Sequence, residues 1–132
     1  MDDKTRLNAL TEKIIGGAIA VHRELGPGLL ESAYEKCLAF ELAVGGLSVE
    51  CQKPLPLVYR GVSIDCAYRL DVVVEREVIV EVKAIDQISG VHEAQMLAYL
   101  RLSQQKVGLL INFNVKFLAE RGVRRFVNGF PD

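Results

Sequence analysis

The sequence predicts a mixed α/β fold, with helices on both faces of one mixed sheet. Three observations carry this. Leu7, Leu10, Ile14, Ala18, Val21 and Leu25 recur at three- and four-residue steps, the stripe of an amphipathic helix. Tyr68–Lys83, YRLDVVVEREVIVEVK, is two alternating apolar runs split by a short charged break, which reads as a β-hairpin. Val107–Phe113, VGLLINF, is a short continuous apolar run, typical of a strand buried on both faces.

At 132 residues the chain is long enough for one domain with a real core, and 1–132 reads as a single domain. Half the residues are hydrophobic and a quarter charged, which sets disordered and fibrous classes aside. Cys37, Cys51 and Cys66 are an odd number without CxxC spacing. That argues against a disulfide framework and a zinc ribbon and suits a reducing cytoplasm, with the three thiols filling core. No run approaches the ~20 apolar residues of a membrane span. The N-terminal stretch MDDKTRLNALTEK is too charged for a signal peptide. Net charge is −1, yet residues 101–132 carry 6 basic and 2 acidic side chains. A basic end of that kind suits either a solvated surface or a phosphate backbone held beside an acidic site.

Thr5 is the expected N-cap of the first helix, and Gly26-Pro27-Gly28 ends it. His22, near its C-terminal end, reads as a structural or surface histidine. A second helix is expected over Leu30–Val44, closed by Gly45-Gly46. Its apolar residues, including Cys37, Leu38 and Phe40, are spread widely enough to predict burial on more than one side. Glu31 and Glu35, one turn apart, read as an exposed acidic face, with Glu31 in the first turn where a carboxylate is favoured. Short strands follow at Ser48–Gln52 and Leu55–Tyr59, with Pro54 and Pro56 pushing them toward an edge. Arg60-Gly61 signals a turn. The hairpin is expected over Val62–Glu75 and Glu77–Ala84, a loop over Ile85–Gly90 and a third helix over Val91–Gln104. After the buried strand, Lys116–Glu120 reads as a helical turn and Arg124–Asn128 as a last short strand. The Leu7–Leu25 stripe exceeds what one small core needs, which is compatible with a homodimer.

The hairpin holds the chemistry. Along its first strand Tyr68, Leu70, Val72 and Val74 share one face and Arg69, Asp71 and Val73 the other. Along the second, Val78, Val80 and Val82 share one face and Ile79, Glu81 and Lys83 the other. Matching the two apolar faces pairs Val74 with Val78 and leaves Glu75-Arg76-Glu77 as the loop. Asp71 then lies opposite Glu81. Two carboxylates ~5 Å apart, at an effective dielectric of ~20, repel by about 3 kcal/mol. A hard divalent cation removes that penalty, and all-oxygen ligation suits Mg²⁺ or Mn²⁺ better than Zn²⁺. Lys83 shares the face and can set an ammonium beside a phosphoryl oxygen. An ion-pair network, Arg69 and Lys83 neutralising the two acids, fits the same spacing equally well. On the third helix His92, Gln95 and Tyr99 fall on one face, either solvated or lining the rim of a site.

These residues carry a resemblance. Asp71 followed by Glu81-Val82-Lys83 resembles the D…ExK signature of the PD-(D/E)XK nuclease superfamily. Gly28-Leu29-Leu30-Glu31-Ser32-Ala33-Tyr34 resembles the motif of its GxxExxY branch. HRELGPGLLE, YRLDVVV, IVEVKA, VHEAQMLAYL and VGLLINFNV are similar to that family in order over nearly the whole chain. The resemblance implies a restriction-endonuclease-like α-β-β-β-α-β core and a cytoplasmic Mg²⁺- or Mn²⁺-dependent nuclease acting on DNA or RNA. It implies Asp71, Glu81 and the Val82 carbonyl as metal ligands, with Glu31 as a further ligand or water-holder. Lys83 would stabilise the transition state or orient water, and Gln95 and Tyr99 match a QxxxY pair beside the metal. The proline that usually precedes the motif Asp is replaced by Leu70. A nuclease-fold module that binds nucleic acid or a protein partner without turnover is the alternative.

Overall fold

The computed structural model describes residues 2–65 and 68–129. In chain order the elements are α1 (Asp3–Leu25), α2 (Glu31–Val44), β1 (Val49–Pro54), β2 (Leu57–Tyr59), β3 (Val62–Ile64) and β4 (Arg69–Val74). β5 (Val78–Lys83), α3 (Gly90–Ser103), β6 (Val107–Asn112), α4 (Leu118–Arg121) and β7 (Val123–Val127) follow. Five strands form one sheet in the order β1-β4-β5-β6-β7, with β5 and β6 parallel and the other neighbours antiparallel. The implied order α-β-β-β-α-β is present as α2-β1-β4-β5-α3-β6.

The hydrophobic pattern explains the layers. On one face Val72, Val74, Val78, Val80 and Val82 meet the stripe of α1 and the Tyr34, Leu38 and Leu42 side of α2. On the other, Val73, Ile79 and Leu110 meet Met96, Tyr99 and Leu100 of α3. A sheet covered on both sides accounts for apolar residues on both faces of β5 and β6. Leu7, Leu10, Ile14, Ala18 and Val21 are all buried within one chain, so the stripe offers no argument for a dimer. Among the described residues, no helix is long and apolar enough to cross a membrane.

Several expectations need correction. The N-cap of α1 is Asp2, not Thr5, because the Asp2 carboxylate accepts the Thr5 N–H at 2.7 Å. α2 is buried on one side only, since α1 and the sheet both meet that side, and Phe40 and Val44 are exposed. Cys37 and Cys51 are exposed rather than core, on the outer side of α2 and on edge strand β1; Cys66 lies outside the described residues. The stretch expected as one long strand from Val62 is divided. β3 leaves the main sheet and pairs with β2 through the Arg60-Gly61 turn. The β1–β4 ladder runs past Pro54 to Leu55, whose N–H donates to the Tyr68 carbonyl at 2.9 Å, and Pro56 has no N–H with which to continue it.

The turn between β6 and β7 has no room for a side chain at Gly122. A Cβ there would stand 2.7 Å from the Asn112 carbonyl oxygen and 2.5 Å from Leu118 Cδ1. Gly122→Ala is therefore expected to cost about 1–3 kcal/mol, read as a lower denaturant midpoint with an unchanged slope.

Candidate functional site

The hairpin register agrees with the hydrophobic pattern. Val74 pairs with Val78, Val73 with Ile79 and Val72 with Val80. The turn closes with the Glu77 N–H donating to the Val74 carbonyl at 3.0 Å. One step beyond the last of these pairs, Asp71 lies across from Glu81. Here side chains take over from the backbone ladder. The Asp71 N–H donates to Glu81 Oε2, and the Val82 N–H donates to Asp71 Oδ2, both at 2.9 Å. The strict alternation also slips at this point. Leu70 packs with Val73 and Leu55 on the α3 side, not with Val72 and Val74 as its spacing predicts.

Burial makes the pair electrostatically costly. Glu81 is 4% exposed. Its carboxyl is pushed up to about 8, first by desolvation and then by the neighbouring Asp71. Burial also raises Asp71, against the opposing pull of the Val82 N–H and the Lys83 charge. The ion pairs found among the described residues involve neither acid, so the network with Arg69 and Lys83 is not formed. Lys83, half-buried at the end of β5, acts on both carboxylates through space.

The backbone of Val82 opens on the same edge. The Lys83 carbonyl accepts the Phe113 N–H at 2.8 Å, which turns the backbone groups of Lys83 toward β6. Alternation then turns those of Val82 toward β4, where its N–H meets Asp71. The Val82 carbonyl therefore faces the carboxylate pair.

Glu31 reaches the site from the first turn of α2. Its Oε2 accepts the Ala84 N–H at 3.2 Å. The loop before it is held by Tyr34, whose hydroxyl donates to the Gly26 carbonyl at 2.5 Å and accepts the Leu29 N–H at 3.1 Å. The Tyr34 ring is fully buried and stacks on Phe113 at 4.6 Å between centroids. Gly28 supplies the φ of +104° that the loop requires. The spacing Gly28, Glu31, Tyr34 is thus a loop device that presents a carboxylate.

Tyr99 is buried beside the pair, its hydroxyl pushed up by burial and by Glu81, and its ring lies 6.0 Å edge-on from Tyr68. Gln95 is half-buried one turn earlier on α3. His92 does not extend that row as a rim residue. It caps its own helix, its Nδ1 accepting the Ser89 N–H at 3.0 Å. His22 is structural, with Nε2 2.7 Å from the Val115 carbonyl oxygen.

Two neighbours of Asp71 were not singled out in the sequence. Glu35, read there as surface, accepts a hydrogen bond from Gln52 Nε2 at 2.8 Å, and burial and Asp71 push its carboxyl upward. Gln52 stands 3.5 Å from Asp71 Oδ1 through the same amide. The signal for Glu35 was its i+4 relation to Glu31. Gln52 carried none, because its place depends on β1 pairing with β4.

The donor set fits a hard cation in an open site. Among the described residues, no three His, Cys, Asp or Glu side chains form a group that could hold a metal ion. Mg²⁺ is ordinarily held by one or two carboxylates, with waters and substrate phosphate filling its octahedron. Two desolvated carboxylates and one carbonyl on a common edge meet that requirement, and the repulsion raising Glu81 is what a cation would relieve.

Comparison with curated proteins and with solved structures found no match. A family model described as the PD-(D/E)XK nuclease superfamily matches residues 8–126, which include every residue of the site. With the five-stranded mixed sheet and its flanking helices, the chain belongs to the PD-(D/E)XK nuclease superfamily and has its restriction-endonuclease-like fold.

Proposed function

We propose that this chain is a Mg²⁺- or Mn²⁺-dependent nuclease that hydrolyses phosphodiester bonds of DNA or RNA, of the GxxExxY branch. The observation that carries the reading is the pair of desolvated carboxylates, Asp71 and Glu81, joined across β4 and β5 as Glu81 accepts the Asp71 N–H and Asp71 accepts the Val82 N–H. A divalent cation held there supplies Lewis acidity, making a water more acidic and taking up charge on a phosphoryl oxygen. Asp71, Glu81 and the Val82 carbonyl hold it. Lys83 sets its ammonium against the charge that grows on the phosphoryl group. Glu31, fixed by the Tyr34 loop, orients water on the α2 side. Gln95 and Tyr99 line the α3 side and keep Glu81 out of bulk solvent.

Purified protein with Mg²⁺ or Mn²⁺ should degrade at least one of a panel of duplex, single-stranded and branched DNA and RNA. EDTA should stop it. Asp71→Ala, Glu81→Ala and Lys83→Ala should each lower the rate by roughly 1,000-fold or more, the scale of removing transition-state charge stabilisation. If the panel is bound but uncut, the chain is a binding module instead.

A further inference from the structure

We propose that Arg121 and Arg124 form a seat for one backbone phosphate of the nucleic acid, two or three nucleotides from the bond that is cut. This rests on the nuclease reading above. Register places Arg124. Glu81 pairs with Leu110, and Leu110 pairs with Arg124, so the three stand in one row on one face of the sheet. Two strand spacings separate Glu81 from Arg124, about 10 Å. At a rise of about 3.4 Å per nucleotide along one strand, that span is two or three nucleotides.

Arg121 joins from the adjoining turn. Parallel β5 and β6 finish at the same end, at Lys83 and Asn112. The Asn112 N–H donates to the Gly122 carbonyl at 2.7 Å, which brings Arg121 to that end too. A cleft of about 390 Å³ opens there, lined by Asp86, Gln87, Asn112, Arg121 and Arg124 among others. Its floor is fixed by Asn112, which accepts the Ile85 N–H at 3.1 Å and donates to the Ile85 carbonyl at 2.9 Å. Ile85 is two residues beyond Lys83, so the cleft lies at the end of β5 that carries Lys83.

The other basic side chains of the C-terminal third are directed elsewhere. Lys106 pairs with Asp3 at 2.7 Å at the opposite end of β6, and α3 ends near it with Arg101. Arg125 donates to Asn8 on the α1 face. Lys116 lies 5.4 Å over the Phe117 ring and lines a separate cleft with Arg23. Among the described residues Arg121 forms no ion pair. Arg124 meets Glu93 at 2.7 Å, but both side chains are well exposed, and such a pair yields readily to a phosphate that accepts two guanidinium bonds. Asp86 opposes the two cations and keeps the seat weak enough for release.

The test is binding in EDTA, read by fluorescence anisotropy with labelled 20-mers of single-stranded DNA, duplex DNA and RNA. The protein that cuts a given probe should bind it. Arg121→Ala/Arg124→Ala should weaken that binding roughly 10-fold and flatten the slope of log affinity against log salt by about one or two units. Arg121→Lys/Arg124→Lys should restore most of the slope, and Asp86→Asn should tighten binding by roughly two- to threefold. Arg101→Ala/Lys106→Ala, at the far end, should change nothing. Unaltered binding by the first double variant, or equal loss by the far-end pair, overturns the seat while leaving the nuclease reading in place. Absence of both binding and cutting by the native protein overturns both.

Discussion

Glutamine at Glu81 is expected to leave a protein that cuts nothing yet is more stable than the native chain when metal is absent and pH is high. The folded Glu81 carboxyl titrates near 8, raised from 4.5 by burial and then by Asp71. Below about pH 4.5 both folded and unfolded states hold the proton, and the group contributes no difference. Between 4.5 and 8 the unfolded chain releases it while the folded chain keeps it, so folding weakens as pH rises. Above 8 the loss is complete, up to about 5 kcal/mol for a shift of this size. Asp71 is shifted in the same direction and adds to the trend. Denaturant melts of the native protein in EDTA should therefore lose stability from pH 5 to 8, and Glu81→Gln should flatten that slope. Mg²⁺ should restore the native protein at pH 8 and not the variant. An equal slope in the two proteins would remove the electrostatic basis of the site.

The second large effect is expected at Tyr34, which touches neither substrate nor cation. Tyr34→Ala removes a fully buried ring stacked on Phe113 and should cost about 3–5 kcal/mol. Tyr34→Phe keeps the ring and removes only the hydroxyl that joins the Gly26 carbonyl to the Leu29 N–H. It should cost about 1–2 kcal/mol and loosen the loop that presents Glu31. Its diagnostic consequence is kinetic. The maximal rate should fall roughly 10-fold with KM little changed, since a misplaced carboxylate weakens the reacting geometry rather than substrate binding. A variant that loses stability at full catalytic rate would make Tyr34 a packing residue alone.

Much of this site was legible because strand parity holds through the hairpin from Val72 to Val80. The apolar positions Val72, Val74, Val78 and Val80 admit one register, and its next step brings Asp71 beside Glu81, whose carboxylate accepts the Asp71 N–H. The α3 layer was legible for a related reason, since Val73 and Ile79 are apolar on a face that also holds charges. What escaped depended on contacts distant in sequence. Gln52 and Glu35 reach Asp71 only because α2 and β1 pack beside β4, and a single strand or helix period contains no trace of that. Cys37 and Cys51 misled because average burial preference was applied to positions whose neighbours were unknown. The excursion of β2 and β3 escaped because Val62–Ile64 has good strand composition, and composition does not say which strand it pairs with.

The three-residue turn Glu75–Glu77 carries one further consequence. Solvent-facing loops ordinarily accept insertions and deletions at little cost. This one sits at the far end of the hairpin from the acids, yet it sets the parity of both strands. Removing one residue there would leave the composition of the site intact and turn Glu81 away from Asp71. The length of the turn is thus as much a part of the site as the acids it aligns.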